Sequence, residues 1–250
     1  MNSLKAGYRN ELLLLGYRRK TLLFTIVSAL LPILLAISFH AIQPIAAFVT
    51  VGTAFPIEML SMYTLFWIPL FIFLTAADLF PQEISTRTLK LSLLRPITRF
   101  QAFTAKMMAL GSAIALVLVV LFIVTLLCNL FLGHTSGLGA ADWFGYGKAY
   151  FAGFVAMLAL AALFVFIAQF FQSASGFLVF SIVIYAVAKV LPFFVKSFSA
   201  FSITSYTDWY VLWLSSNVSV GRLFSSSLFV LSGLVLFFSL GYLMFDRKEA

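Results

Sequence analysis

The chain has 250 residues, 63% of them hydrophobic and only 10% charged, with a net charge of +8. Soluble domains carry about a quarter charged residues, so this composition excludes one, and apolar runs that are continuous rather than alternating exclude a transmembrane barrel. The single cysteine, Cys128, excludes an internal disulfide.

Six runs approach or exceed the roughly 20 apolar residues that a bilayer-crossing helix needs. They fall at about 21–39, 59–79, 107–132, 149–171, 176–195 and 225–245. The expected fold class is therefore an all-α polytopic membrane protein, with one domain over residues 1–250.

Residues 3–20 precede the first run. Leu4, Tyr8, Leu12 and Leu15 share a helical stripe with Lys5, Arg9 and Lys20 to one side of it. This predicts an amphipathic helix lying in the interface, basic residues toward headgroups; the alternative is a basic extension of span one. The polar and aromatic segment ahead of span one, and the lack of a small-residue cleavage site after it, argue for a retained span rather than a signal peptide. Pro32 falls within span one and Pro69 within span two, and each removes a backbone donor.

Loop 40–58 has no basic residue and contains Pro44, Gly52, Pro56 and Glu58. A polar island follows span two: Asp78, Glu83, Arg87, Thr88, Lys90, Arg95, Pro96, Arg99 and Lys106. Leu89, Leu91 and Leu93 alternate like a strand, but an isolated strand leaving a membrane helix has no partner. Pro81 and Glu83 fit a helix start, where an acid suits the dipole. A short helix is expected over 82–94, ended by Pro96. The bland alternative is a basic loop that only sets topology.

Loop 133–148 is glycine-rich and carries Asp142, Trp143 and Tyr146, which suit an interface. Span four has Ala152, Ala156, Ala159 and Ala162, a spacing that permits close helix packing. Residues 172–175 form a short turn. Residues 196–224, with Tyr206, Trp209, Tyr210 and Trp213, predict short helices dipping into the outer leaflet.

The charge is distributed asymmetrically. With the N-terminus inside, Lys5, Arg9, Arg18, Arg19, Lys20, Arg87, Lys90, Arg95, Arg99, Lys106, Arg247 and Lys248 lie on the inner side, against Lys148, Lys196 and Arg222 outside. That bias places both termini in the cytoplasm. It makes the surplus a topology signal that also attracts anionic membrane lipids, not a nucleic-acid footprint. Polar residues in or beside the spans are functional candidates by default, which singles out Glu58, Gln169, Tyr185 and Lys189 as a possible substrate pathway. No metal cluster is evident. The phosphate-binding pattern G-x-x-x-x-G-K-[ST] is absent: Gly147-Lys148 is followed by Ala149, with Asp142 where the first glycine belongs. The chain is not itself an ATPase.

The island has a family resemblance. Asp78 closing span two, Glu83, then Thr88-Leu89-Lys90, Leu93-Leu94, Pro96-Ile97-x-Arg99 and Lys106 ahead of span three resemble the permease of ABC-2 type ABC transporters, exporters in character. The six spans, the amphipathic start and the short charged C-terminus extend the resemblance along the chain. It departs at Arg87, where that family often has glycine. The resemblance implies that 82–94 is a coupling helix docked on a separate ATPase subunit through Glu83, Arg87, Thr88, Lys90, Leu93 and Leu94. Asp78, Pro96, Arg99 and Lys106 complete the motif. It further implies ATP and Mg on that nucleotide-binding subunit and no cofactor in this chain. A second permease chain, in a homodimer or heterodimer, and a bacterial plasma-membrane location follow in the same way. The implied cargo is amphipathic: peptides, antimicrobial compounds or lipid-like molecules carried outward by alternating access. A different class fits the same island: a non-transporting membrane sensor or scaffold that docks a soluble partner through 82–94.

Overall fold

A computed structural model describes residues 2–42, 55–85, 98–131, 140–195, 202–215 and 218–247. Helix α1 covers Asn2–Tyr17 and α2 covers Arg19–Ile42. Span two is composite: α3 (Phe55–Met62), a π-helical turn (Tyr63–Trp67), α4 (Ile68–Leu79) and the short α5 (Pro81–Ser85). Then come α6 (Arg99–Phe131), α7 (Ala140–Ala168), α8 (Ala174–Phe194), a 3-10 turn (Ile203–Tyr206), α9 (Tyr210–Leu214) and α10 (Val220–Asp246). No strand occurs among the described residues. Six helical stretches are long and apolar enough to cross a bilayer, so the chain is an all-α polytopic membrane protein.

The helices outrun the apolar stretches that predict them. The apolar run of span three starts at 107, and α6 starts at Arg99, at the Thr98 junction where the sequence has that helix begin after Pro96. Its start is set by a reciprocal cap: the Gln101 amide donates to Thr98 Oγ1 at 3.2 Å, and the Thr98 amide to Gln101 Oε1 at 3.3 Å. The Thr-x-x-Gln spacing is what such a box requires. Span four is expected from 149 but α7 begins at Ala140. Helix α8 begins at Ala174, because the Ser173 hydroxyl accepts from the Gly176 amide at 3.2 Å and caps it.

The core lies where span two, α6 and α7 meet. Of the most apolar windows, 61% is buried in span two and in α7 and 44% in α6, against 17% in each of α2, α8 and α10. The alanine stripe expected of span four is the reason α7 is central: Ala152, Ala156, Ala159 and Ala162 are all buried, which lets α4, α6 and α10 approach it closely. Helix α10 closes over α7, and Gly233 leaves the space that Ile203 of the 3-10 turn fills; an added Cβ there would lie 2.5 Å from Ile203 Cδ1. The segment after α8 does form short helices, and Trp209 and Tyr210 are buried against the bundle.

Helix α1 packs along α6. The inward face differs from the expected stripe. Leu15 is buried and Tyr8 packs on the core, but Leu12 is 39% exposed. The residues turned inward are Tyr8, Glu11, Leu15 and Arg18, spaced three and four apart.

Of the prolines inside spans, which include Pro192 in α8, Pro32 and Pro69 are each matched by a tyrosine. Pro32 has no N–H for the Ser28 carbonyl four residues back, and the Tyr63 hydroxyl donates to that oxygen at 2.6 Å. Pro69 likewise strands the Leu65 carbonyl, which accepts from the Tyr185 hydroxyl at 2.7 Å. In hydrocarbon an unfilled carbonyl has no water to turn to. Trp67 Nε1 adds a 2.6 Å bond to Ser28 Oγ. Tyr63→Phe should therefore cost about 1–3 kcal/mol of stability in detergent. In a Pro32→Ala background, where residue 32 regains its donor, that cost should fall to less than half; chemical denaturation of the four variants measures it.

Candidate functional site

The charged end of the bundle is where α1 ends, α4 ends, α5 lies and α6 begins. Each brings a charged side chain because each stops there. Arg18 sits at the one-residue break between α1 and α2. Asp78 lies in the last turn of α4, and Glu83 lies in α5, which Pro81 opens beyond the bend at Phe80.

Lys106 is the hub. Its side chain is 3% exposed, and its Nζ lies 2.5 Å from Glu83 Oε1 and 3.2 Å from Glu11 Oε1. One ammonium thus joins α1, α5 and α6. Asp78, 6% exposed at its side chain, is held from the other direction by Arg18 Nη1 at 3.1 Å and by Lys20 Nζ at 3.4 Å. The three cations and three carboxylates of the cluster sum to zero. Arg99 Nη1 donates to the Asp246 carbonyl, tying the start of α6 to the end of α10. Below lies an aromatic floor: the Phe80, Phe103 and Phe245 rings have centroids 5.6 to 6.3 Å apart.

Four motif residues named from the sequence, Asp78, Glu83, Arg99 and Lys106, thus come together. Arg87, Thr88, Lys90, Leu93, Leu94 and Pro96 lie outside the described residues. Lys106, placed by the sequence at the edge of span three, is buried inside the cluster. The reason is that α6 starts about two turns before it, at Arg99, and α1 covers it.

The pathway candidates are spread over the bundle. Glu58 is exposed in the first turn of α3, at the end opposite the cluster, where a carboxylate suits the helix dipole. Gln169 is buried at the charged end, and its Nε2 donates to the Val165 carbonyl at 3.3 Å. Tyr185 fills the Leu65 carbonyl. Lys189, 5.8 Å above the Tyr185 ring, donates to Thr207 Oγ1 at 2.5 Å and so ties α8 to the segment that follows it.

Glu11 and Arg18 were not singled out as site residues. A signal existed for Glu11: it is the one acid in the first 57 residues, set in a basic stretch. Its partner is 95 positions away, which no local pattern reveals.

A family model described as "ABC-2 family transporter protein" matches residues 15–192. That stretch holds every member of the cluster except Glu11. No curated protein matches the chain.

Removing the hub takes from Glu11 and Glu83 the ammonium they share. Lys106→Met should destabilise the protein by about 3–5 kcal/mol, whereas Lys20→Ala, at a side chain 61% exposed, should cost about 1 kcal/mol or less. Denaturation in detergent at fixed salt compares the two.

Proposed function

The chain belongs to the ABC-2 transporter family and is a multi-pass membrane permease; from that premise we propose that it exports amphipathic cargo, driven by a separate ATPase subunit docked on residues 82–94. The observation that carries this reading is the position of the loop. The chain leaves span two beside Asp78 and Glu83 and returns through Arg99 and Lys106; Asp78, Glu83 and Lys106 are locked into one cluster with Glu11 and Arg18, and Arg99 is tied to the end of α10. A load applied between Ser85 and Thr98 therefore bears on α1, α4 and α6 together. That is the mechanical requirement for turning ATPase closure into movement of the spans.

In this reading Glu83 and Lys106 position the coupling segment, and Arg87, Thr88, Lys90, Leu93 and Leu94 meet the partner. Arg87, where the family often has glycine, would add a cation to the segment that meets the partner. ATP and Mg reside on the ATPase subunit. A second permease chain completes the pathway, both termini are cytoplasmic, and residues 1–250 act as one domain. The apolar walls of the bundle favour peptides, antimicrobial compounds or lipid-like molecules over small ions. Glu58 and Gln169, at opposite ends, would meet cargo at entry and exit, while Tyr185 and Lys189 would shape the wall between them.

The test reverses two charges of the segment between Ser85 and Thr98, Arg87→Glu with Lys90→Glu, leaving the ion cluster untouched. Expected are normal membrane insertion, loss of the co-purifying ATPase subunit and loss of ATP-driven transport in proteoliposomes. Transport at the unaltered rate would overturn the docking assignment. Retention of a kinase or protease, but no ATPase, by the unaltered chain would overturn the transporter reading.

A further inference from the structure

Between α6 and α7, away from the ion cluster, lies a cleft of about 310 Å³. Its walls are two helical stripes: Leu118 and Phe122 on α6, and Gly147, Tyr150, Phe151 and Phe154 on α7. Spacings of three, four and seven keep each set on one face. The cleft follows the α7 stripe for two turns, roughly 10 Å.

The lining is almost wholly apolar. The one hydroxyl on its walls, that of Tyr150, is engaged elsewhere: it lies 3.1 Å from Thr125 Oγ1 and donates to the Pro56 carbonyl at 3.0 Å. Gly147 is exposed at the mouth end of the cleft, and an added Cβ there would meet no heavy atom within 4 Å. Phe151, 69% exposed, forms the outer lip. An apolar cleft of this kind does not hold water. Both of its walls are membrane spans, so what it faces is hydrocarbon.

The mouth is charged. Lys148 follows Gly147 on an exposed stripe with Phe144 and Phe151, its ammonium 5.3 Å from the Phe144 ring centroid. Trp143, 44% exposed, stands one turn above. Asp142 lies beside the buried Tyr146. Lysine and tryptophan at a span end mark the headgroup level, and a cation there attracts anionic lipid.

We propose that this cleft binds one acyl chain of an anionic phospholipid from the leaflet at that end of the bundle, with the phosphate held by Lys148. The cation sits at headgroup depth, and the apolar slot runs from it toward the membrane centre. That is the order of polar and apolar parts in a phospholipid. The site is separate from the coupling segment and needs no ATPase partner.

The full chain is reconstituted in bilayer discs containing phosphatidylglycerol or phosphatidylcholine with a photoactivatable group on the acyl chain. Cross-linked peptides are then mapped. Phosphatidylglycerol should label the peptides holding Phe122 and Phe151. Gly147→Phe places a ring across the mouth end of the cleft and should cut that label at least about tenfold. Val119→Trp, which closes the cleft from an exposed α6 position, should do the same and serves if the first variant inserts poorly. Lys148→Gln should reduce the preference for phosphatidylglycerol about fivefold. Unchanged labelling in either filled variant, or equal labelling by both lipids in the unaltered chain, would overturn the proposal. Because no nucleotide is present, failure here is distinguishable from failure of the coupling assignment.

Discussion

A lysine ammonium buried to 3% exposure has to be matched wherever the chain folds, and the charged end of this protein is organised around that need. Taking the cation out of water costs several kcal/mol, and the attraction of nearby carboxylates repays it only with good geometry. Lys106 has two such partners, and they come from segments far apart in sequence, Glu11 and Glu83. The ion pairs therefore specify more than they stabilise. Helix α1 is seated in one register against α6, α5 leaves the bundle at one place, and the loop between Ser85 and Thr98 has fixed ends.

The same economy of polar groups governs the interior of the spans. A bilayer supplies no donors, so each proline in a span creates a debt that another helix must settle. Tyr63 and Tyr185 do so for Ser28 and Leu65. The two bonds form a chain of helices: α2 is joined to span two by the first, and span two to α8 by the second. The peripheral helices, with most of their surface open to lipid, are thus anchored by hydrogen bonds as well as by apolar contact. Prolines that looked like isolated breaks prove to be attachment points.

Much of this was legible in the sequence. Six spans follow from apolar run length alone, and the family motif brought Asp78, Glu83, Arg99 and Lys106 into view. The start after Pro96, at Thr98, was legible, but the start of α8 was less so, because Ser173 sets it by side-chain capping and not by hydropathy. The face of α1 was misjudged at Leu12 for a physical reason. In a membrane protein apolar residues face lipid as readily as they face the core, so a leucine stripe does not say which way is in. Only the partner of Glu11 decides it. Neither the tyrosines' targets nor the cleft behind Phe151 has a local signature, since both need two helices in register.

The π-helical turn at Tyr63–Trp67 carries one residue more per turn than the α-helices on either side: the Ile68 amide reaches back five positions, to the Tyr63 carbonyl. One residue corresponds to about 100° of α-helical rotation. The wide turn absorbs that residue, so deleting one residue there would restore regular α-helix with α3 still facing the core, whereas deleting one outside it would turn α3 by that angle and swing Phe55, Met59 and Leu60 away from the core they now fill. Span two is therefore sensitive to length in a way that ordinary hydropathy does not register. Homologous chains that keep its packing should differ in length by one residue only at this turn, even where they change most of its side chains.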